Sequence, residues 1–137
     1  VPKVEVVRDL FSQATGHRNL LVTEIRAWCK SEGWQIEKDG PEYLVWTAAG
    51  VQVDLWFATP ESIGSVLLCR TGSKEHNVWM SMRAMDRGAK WHPNRGLYLP
   101  GQRVVGATEA AIYQALGLPL IPPSEREAKT LARDYRS

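Results

Sequence analysis

Two places in this chain carry reactive or ligand-binding side chains in a suggestive setting. The first is Asp54, in the middle of Val51-Gln52-Val53-Asp54-Leu55-Trp56-Phe57. A strand points alternate side chains to opposite faces, so Val51, Val53, Leu55 and Phe57 share one face and Gln52, Asp54 and Trp56 the other. A carboxylate buried there without a partner is too costly, so Asp54 must meet solvent, a cation or a metal. Two readings are open: a metal ligand or general base, or an exposed strand residue paired with a neighbouring Lys or Arg. The second place is Thr71-Gly72-Ser73-Lys74-Glu75-His76-Asn77. Glycine there permits backbone angles closed to other residues, and the following serine can open a helix whose first amides point outward. Such a corner suits contact with a phosphate or sugar, and it equally suits a plain turn between two helices.

On the helix expected after Ser73, the residues Lys74, Asn77, Ser81 and Ala84 recur at spacings of three and four. This stripe is small, polar and donor-bearing, which fits close approach to a minor groove or simply a solvated helix face. Val78, Met82 and Met85 fall on another face. Lys90, His92, Arg95 and Arg103 read as further phosphate contacts or as scattered surface charge. Trp91 reads as core or as a platform for a base. Trp28, Trp34, Trp46 and Tyr113 sit at apolar-periodic positions and read as core. His17, His76 and His92 do not have the spacing of a zinc site.

These residues need elements to hold them. Val4, Val7, Leu10, Phe11 and Ala14 predict an amphipathic helix over 3–14. Leu21, Val22, Ile25 and Trp28 predict a second, ending near Gly33. Residues 34–37 and 42–47 read as strands around a turn at Lys38-Asp39-Gly40-Pro41, and Ala49-Gly50 as a tight turn into the Asp54 strand. Thr59-Pro60-Glu61 reads as the start of a helix running to about Cys69. Ser73 caps the next one, through Arg87. Residues 89–105 read as irregular or as short strands, Thr108 caps a helix to Leu116, and Ser124-Glu125-Arg126-Glu127 fits a capping box opening a last helix. Strands first and helices afterwards predict an α+β fold, with a seam near 58–72.

Taken in order, several of these residues form a familiar series. Asp54 is followed by Thr71-Gly72-Ser73, Asn77, Arg83-Ala84, Gly88 and Gly96-Leu97. Then come Thr108-Glu109-Ala110-Ala111-Ile112-Tyr113-Gln114-Ala115-Leu116-Gly117-Leu118 and Ile121-Pro122-Pro123-Ser124-Glu125-Arg126-Glu127. The series resembles the palm-to-thumb stretch of family X DNA polymerases, the polymerase beta type, and especially bacterial and phage-like members. It covers 51–127 well and 1–50 loosely.

The resemblance implies a small antiparallel sheet with helices, a partial nucleotidyltransferase palm, over 1–58. It implies a connecting helix and hinge over 59–72 and a mixed helical thumb over 73–137. Asp54 matches the third catalytic carboxylate, which helps bind Mg2+. Arg70, Thr71, Gly72 and Ser73 match the corner beside the nucleotide sugar, where the Gly–Ser peptide is typically cis, and Asn77 a contact to the minor-groove edge of the incoming nucleotide. Lys74, Ser81, Lys90 and Arg95 are implied DNA contacts. The implied partners are primer–template or gapped DNA and, in a complete enzyme, a deoxynucleoside triphosphate.

The departures from the family pattern are also informative. Two aromatic residues usually precede the corner, where this chain has Cys69 and Arg70. A templating-strand arginine falls on Ser81, and an arginine two residues before the strand aspartate falls on Gln52. The first two carboxylates, an Asp-x-Asp on an earlier strand, have no counterpart in the sequence. Two-metal phosphoryl transfer needs several carboxylates to hold ions about 4 Å apart. The chain alone is therefore expected to lack polymerase activity. A palm sheet without that strand would also leave an edge through which two copies could pair.

Composition narrows the classes. Charged residues are 23% of the chain and apolar residues 44%, an ordinary globular balance, and no apolar run approaches the roughly 18 residues a membrane span needs. No membrane partner or signal peptide is expected. Cys29 and Cys69 form no CxxC pair and read as reduced thiols in a cytoplasmic protein. Residues 1–70 carry 7 Lys/Arg against 9 Asp/Glu, and residues 71–137 carry 10 against 6. A basic second half suits a phosphate backbone.

Overall fold

The computed structural model describes residues 18–127, and the helix expected over 3–14 lies outside them. The fold is α+β: helices and two antiparallel three-stranded sheets, in two compact units that divide between Pro60 and Glu61.

In the first unit, helix α1 (Arg18–Ser31) packs on a sheet of β1 (Ile36–Asp39), β2 (Tyr43–Ala48) and β3 (Val51–Trp56), with β2 in the middle. Leu21, Val22, Ile25 and Cys29 repeat along one face of α1, and they are buried with Leu44, Trp46 and Phe57. The helix stops where a left-handed residue lets the chain fold back on it. Gly33 has φ 76°, its N–H reaches the Lys30 carbonyl, and the Trp34 N–H reaches the Cys29 carbonyl. Because Trp34 serves this cap, the first strand begins at Ile36 rather than Trp34. It runs on through Asp39, whose carboxylate accepts from Arg26 Nε at 2.8 Å. The turn then falls on residues 40–42, two places later than the sequence pattern suggests. The turn at Ala49-Gly50 sits where expected, with both residues at positive φ.

The second unit holds α2 (Ile63–Thr71), α3 (Lys74–Asp86), the short strands β4 (Lys90–His92), β5 (Gly96–Tyr98) and β6 (Val104–Val105), then α4 (Glu109–Ala115) and a 3-10 turn (Pro123–Glu125). Its core is Leu68, Met80, Ala84, Ala89, Trp91, Leu97, Ile112, Tyr113, Leu116 and Ile121. Helix α2 thus belongs to the core of this unit.

Two helix starts differ from expectation. Helix α2 begins after Ser62, not at Thr59, because Gly106 supplies the missing acceptor: its carbonyl takes the Ser65 N–H at 3.0 Å. At Gly64 a Cβ would lie 2.4 Å from the Thr108 backbone, so only glycine lets these segments meet. Ser124 opens no helix within the described residues. It lies in the 3-10 turn, and Arg126 turns inward to be 1% exposed.

Candidate functional site

The first candidate, Asp54, lies on the sheet face that carries Val45, its partner across the ladder. It is exposed, and its Oδ1 accepts from Gln52 Nε2 at 2.8 Å, the neighbour two residues along the same face. Trp56, also on that face, stacks on Tyr43 with ring centroids 5.1 Å apart. A divalent cation takes six or more oxygen ligands, often two or more of them from carboxylates. Among the described residues no three His, Cys, Asp or Glu gather around Asp54 or anywhere else. The described residues therefore do not by themselves make the Mg2+ site that the resemblance implies.

The second candidate is the corner between α2 and α3. The Thr71 hydroxyl donates to the Leu67 carbonyl at 2.7 Å. Gly72 has φ 75°, and the Gly72–Ser73 peptide is cis. Ser73 caps α3 as the sequence suggests: its hydroxyl accepts from the His76 N–H at 3.2 Å. The same hydroxyl donates to the Arg126 carbonyl at 2.6 Å, and the Ser73 N–H reaches that carbonyl at 3.3 Å. Both hydroxyls of the corner are thus engaged with protein groups.

Behind the corner lies a buried polar layer. Arg126 donates through Nε to the Ile121 carbonyl at 2.9 Å and through Nη1 to Glu109 Oε2 at 2.9 Å. Its guanidinium also sits 5.6 Å from the centre of the Tyr113 ring, within cation–π range. The Tyr113 hydroxyl is 2.6 Å from His76 Nε2, and His76 Nδ1 is 3.1 Å from Asn77 Oδ1. Asn77 Nδ2 donates to the Cys69 carbonyl at 2.9 Å. Burial holds the His76 pKa below the ordinary 6.5.

In front of the corner is an open cavity of about 560 Å³. Cys69, Arg70, Gly72, Lys74, Asn77 and Ser81 are among the residues that line it. Arg70 approaches the Cys69 sulfur at 3.0 Å. The rest of the wall is largely apolar: Val78, Met82, Trp91 and Pro93. So the structure brings Arg70, Gly72, Lys74, Asn77 and Ser81 together. The expected fourth member of the helix stripe, Ala84, is fully buried, because the core-facing row of α3 is His76, Met80 and Ala84. The cavity-side row is instead completed by Val78 and Met82, which are 54% and 53% exposed. Lys90 and Arg95 are exposed on and just after β4. Trp91 is core, with its Nε1 donating to Ser65 Oγ at 2.9 Å. The sequence offers His76 only as a member of the corner segment without zinc-site spacing, and Arg126 only within the last capping box and the family series. A histidine next to Asn77 at the start of a capped helix was the available signal for the first.

Residues 66–127 match the family model described as the DNA polymerase beta thumb. The second unit is thus similar to a polymerase beta-type thumb. Among solved structures, the fold is similar to Leishmania infantum polymerase beta in a ternary P/T complex, with TM-score 0.68 and 18% identity over 93% of this chain and 57% of that one. It is also similar to the same polymerase in a ternary gap complex, with TM-score 0.66 and 18% identity over 78% and 49%. At that identity the likeness speaks for the fold of a family X polymerase fragment. The chain spans about half the length of these structures. A comparison with curated proteins finds no match. No helix of the described residues is long and apolar enough to cross a membrane.

Proposed function

We propose that this chain is the DNA-gripping palm-and-thumb portion of a family X-type DNA polymerase. The thumb would hold primer–template or gapped DNA, and the cavity at the α2–α3 corner would receive a nucleotide. The observation that carries this reading is the composition of that cavity, which lies within the thumb match. Arg70 and Lys74 supply cations, Asn77 supplies an amide, and the apolar floor suits the face of a base or sugar. Lys90 and Arg95 would add contacts to the phosphate backbone.

Thr71 and Ser73 enter this proposal in a changed role. Their hydroxyls hold the corner in shape, and Gly72 lets the backbone come close to a ligand. Asp54 would be one of the Mg2+-binding carboxylates of a complete active site. Its companions would come from sequence outside this chain or from another chain. Among the described residues no cluster of metal-ligating side chains surrounds Asp54, which favours DNA holding without chemistry as the chain's own activity.

The test is fluorescence anisotropy of the chain with a gapped duplex across a salt series. Four side-chain cations that neutralise phosphates and release the counterions there predict a slope of log K against log salt of about −3 to −4. Lys74→Ala and Lys90→Ala should each reduce its magnitude by about 1. Binding that ignores salt, or no binding at low salt, would sink the reading.

A further inference from the structure

The polar chain behind Asn77 has a direction, and that direction determines what the cavity can accept. Asn77 Nδ2 lies 2.9 Å from the Cys69 carbonyl, which can only accept. The amide is therefore oriented with nitrogen toward Cys69 and Oδ1 toward His76. An oxygen 3.1 Å from His76 Nδ1 requires that nitrogen to carry the proton. The ring is buried, and its neutral form then has a lone pair on Nε2. That lone pair meets the Tyr113 hydroxyl at 2.6 Å, which must donate. Each link forces the next: tyrosine to histidine, histidine to asparagine oxygen, asparagine nitrogen to backbone. Turning the Asn77 amide over would set its NH2 against the His76 N–H and its oxygen against the Cys69 carbonyl.

We propose that His76 and Tyr113 are positioning residues that hold Asn77 as a hydrogen-bond donor to the cavity, so that the site takes a base edge offering an acceptor there. The second Nδ2 hydrogen has only the Cys69 sulfur near it, at 3.8 Å, a weak acceptor. In the minor groove, adenine offers N3 and thymine O2 as acceptors, and a G·C pair is distinguished by the added donor of guanine. A donor fixed in this way engages the edge without depending on which base is present. The inference rests on the functional reading above for its ligand, but the relay itself is a property of the folded chain.

Two measurements on the full chain separate these parts. The first needs no ligand: nitrogen NMR of the His76 ring should show the Nδ1–H tautomer, and an Nε2–H ring overturns the relay. The second is binding, to the chain on a primer–template duplex, of a purine deoxynucleoside triphosphate that carries N3, against the same nucleotide with a C–H at that place. One neutral hydrogen bond is worth about 1 kcal/mol, so the unmodified chain should bind the second nucleotide about fivefold more weakly. His76→Phe keeps a buried aromatic ring and removes the donor, and Tyr113→Phe removes only the hydroxyl. Both should shrink the fivefold difference toward one while still binding DNA. A difference that survives in both variants overturns the positioning role. If neither the duplex nor a nucleotide binds the unmodified chain, the DNA reading fails, and the tautomer alone decides the relay.

Discussion

Replacing Arg126 by methionine tests how the corner is supported. Arg126 is 1% exposed, and its carboxylate partner Glu109 is 21% exposed at 2.9 Å. The substitution keeps an unbranched chain of similar length, so little volume is lost, but Glu109 loses its cation and the Ile121 carbonyl loses its donor. Breaking a buried ion pair from one side costs about 3–5 kcal/mol, chiefly because the remaining charge is stranded. Glu109 keeps some water, so the low end applies, about 3 kcal/mol. At a urea slope of roughly 1.5 kcal/mol/M, that moves the midpoint down by about 2 M. The assay is equilibrium unfolding followed by tryptophan fluorescence, since Trp79 and Trp91 both belong to this unit. The double variant Arg126→Met with Glu109→Gln should recover part of the loss, because the stranded charge is gone. A loss below about 1 kcal/mol for the single variant, or no recovery in the double, would contradict this account.

Other outcomes follow from the same packing. Gly64→Ala would drive a methyl group to 2.4 Å from the Thr108 backbone, where no flexible side chain can yield. Overpacking of this kind costs about 1–3 kcal/mol, readable as a lower urea midpoint. The pH dependence of stability has a definite sign at His76, which Tyr113, Asn77, Trp79, Glu109 and Arg126 surround. Burial lowers its folded pKa, so below pH 6.5 the unfolded chain takes up a proton that the folded chain refuses. Stability from this residue is complete above pH 6.5 and falls as pH drops below it. His76→Phe should flatten that part of the profile in urea unfolding measured from pH 7.5 to 5, and an unchanged slope would contradict the assignment.

Much of the local structure was legible in the sequence because its causes are local. The alternation around Asp54 placed it on the exposed face of β3, and Ala49-Gly50 marked its turn. Ser73 and Thr108 cap α3 and α4 through hydroxyls three residues from the amides they accept. The order of Asp54, the corner, Asn77 and the α4 run by itself points to the palm-to-thumb fold. The misread starts of β1 and α2 share one cause: each boundary was determined by a backbone group outside the strand or helix itself, the Cys29 carbonyl in one case and the Gly106 carbonyl in the other.

The site divides along the same line. The order of residue types shows which side chains are available at the corner and that a helix begins there. Long-range packing sets which way they face and what they are free to do. Ala84 has the spacing of the polar stripe, yet the core claims it, because a helix face is chosen by what packs on it. Ser73 is tied to a carbonyl 53 residues away, and His76 to a hydroxyl 37 residues away. No periodicity reaches across such distances. Those bonds exist because folding takes these polar groups out of water, and each must then find a partner wherever the chain has brought one.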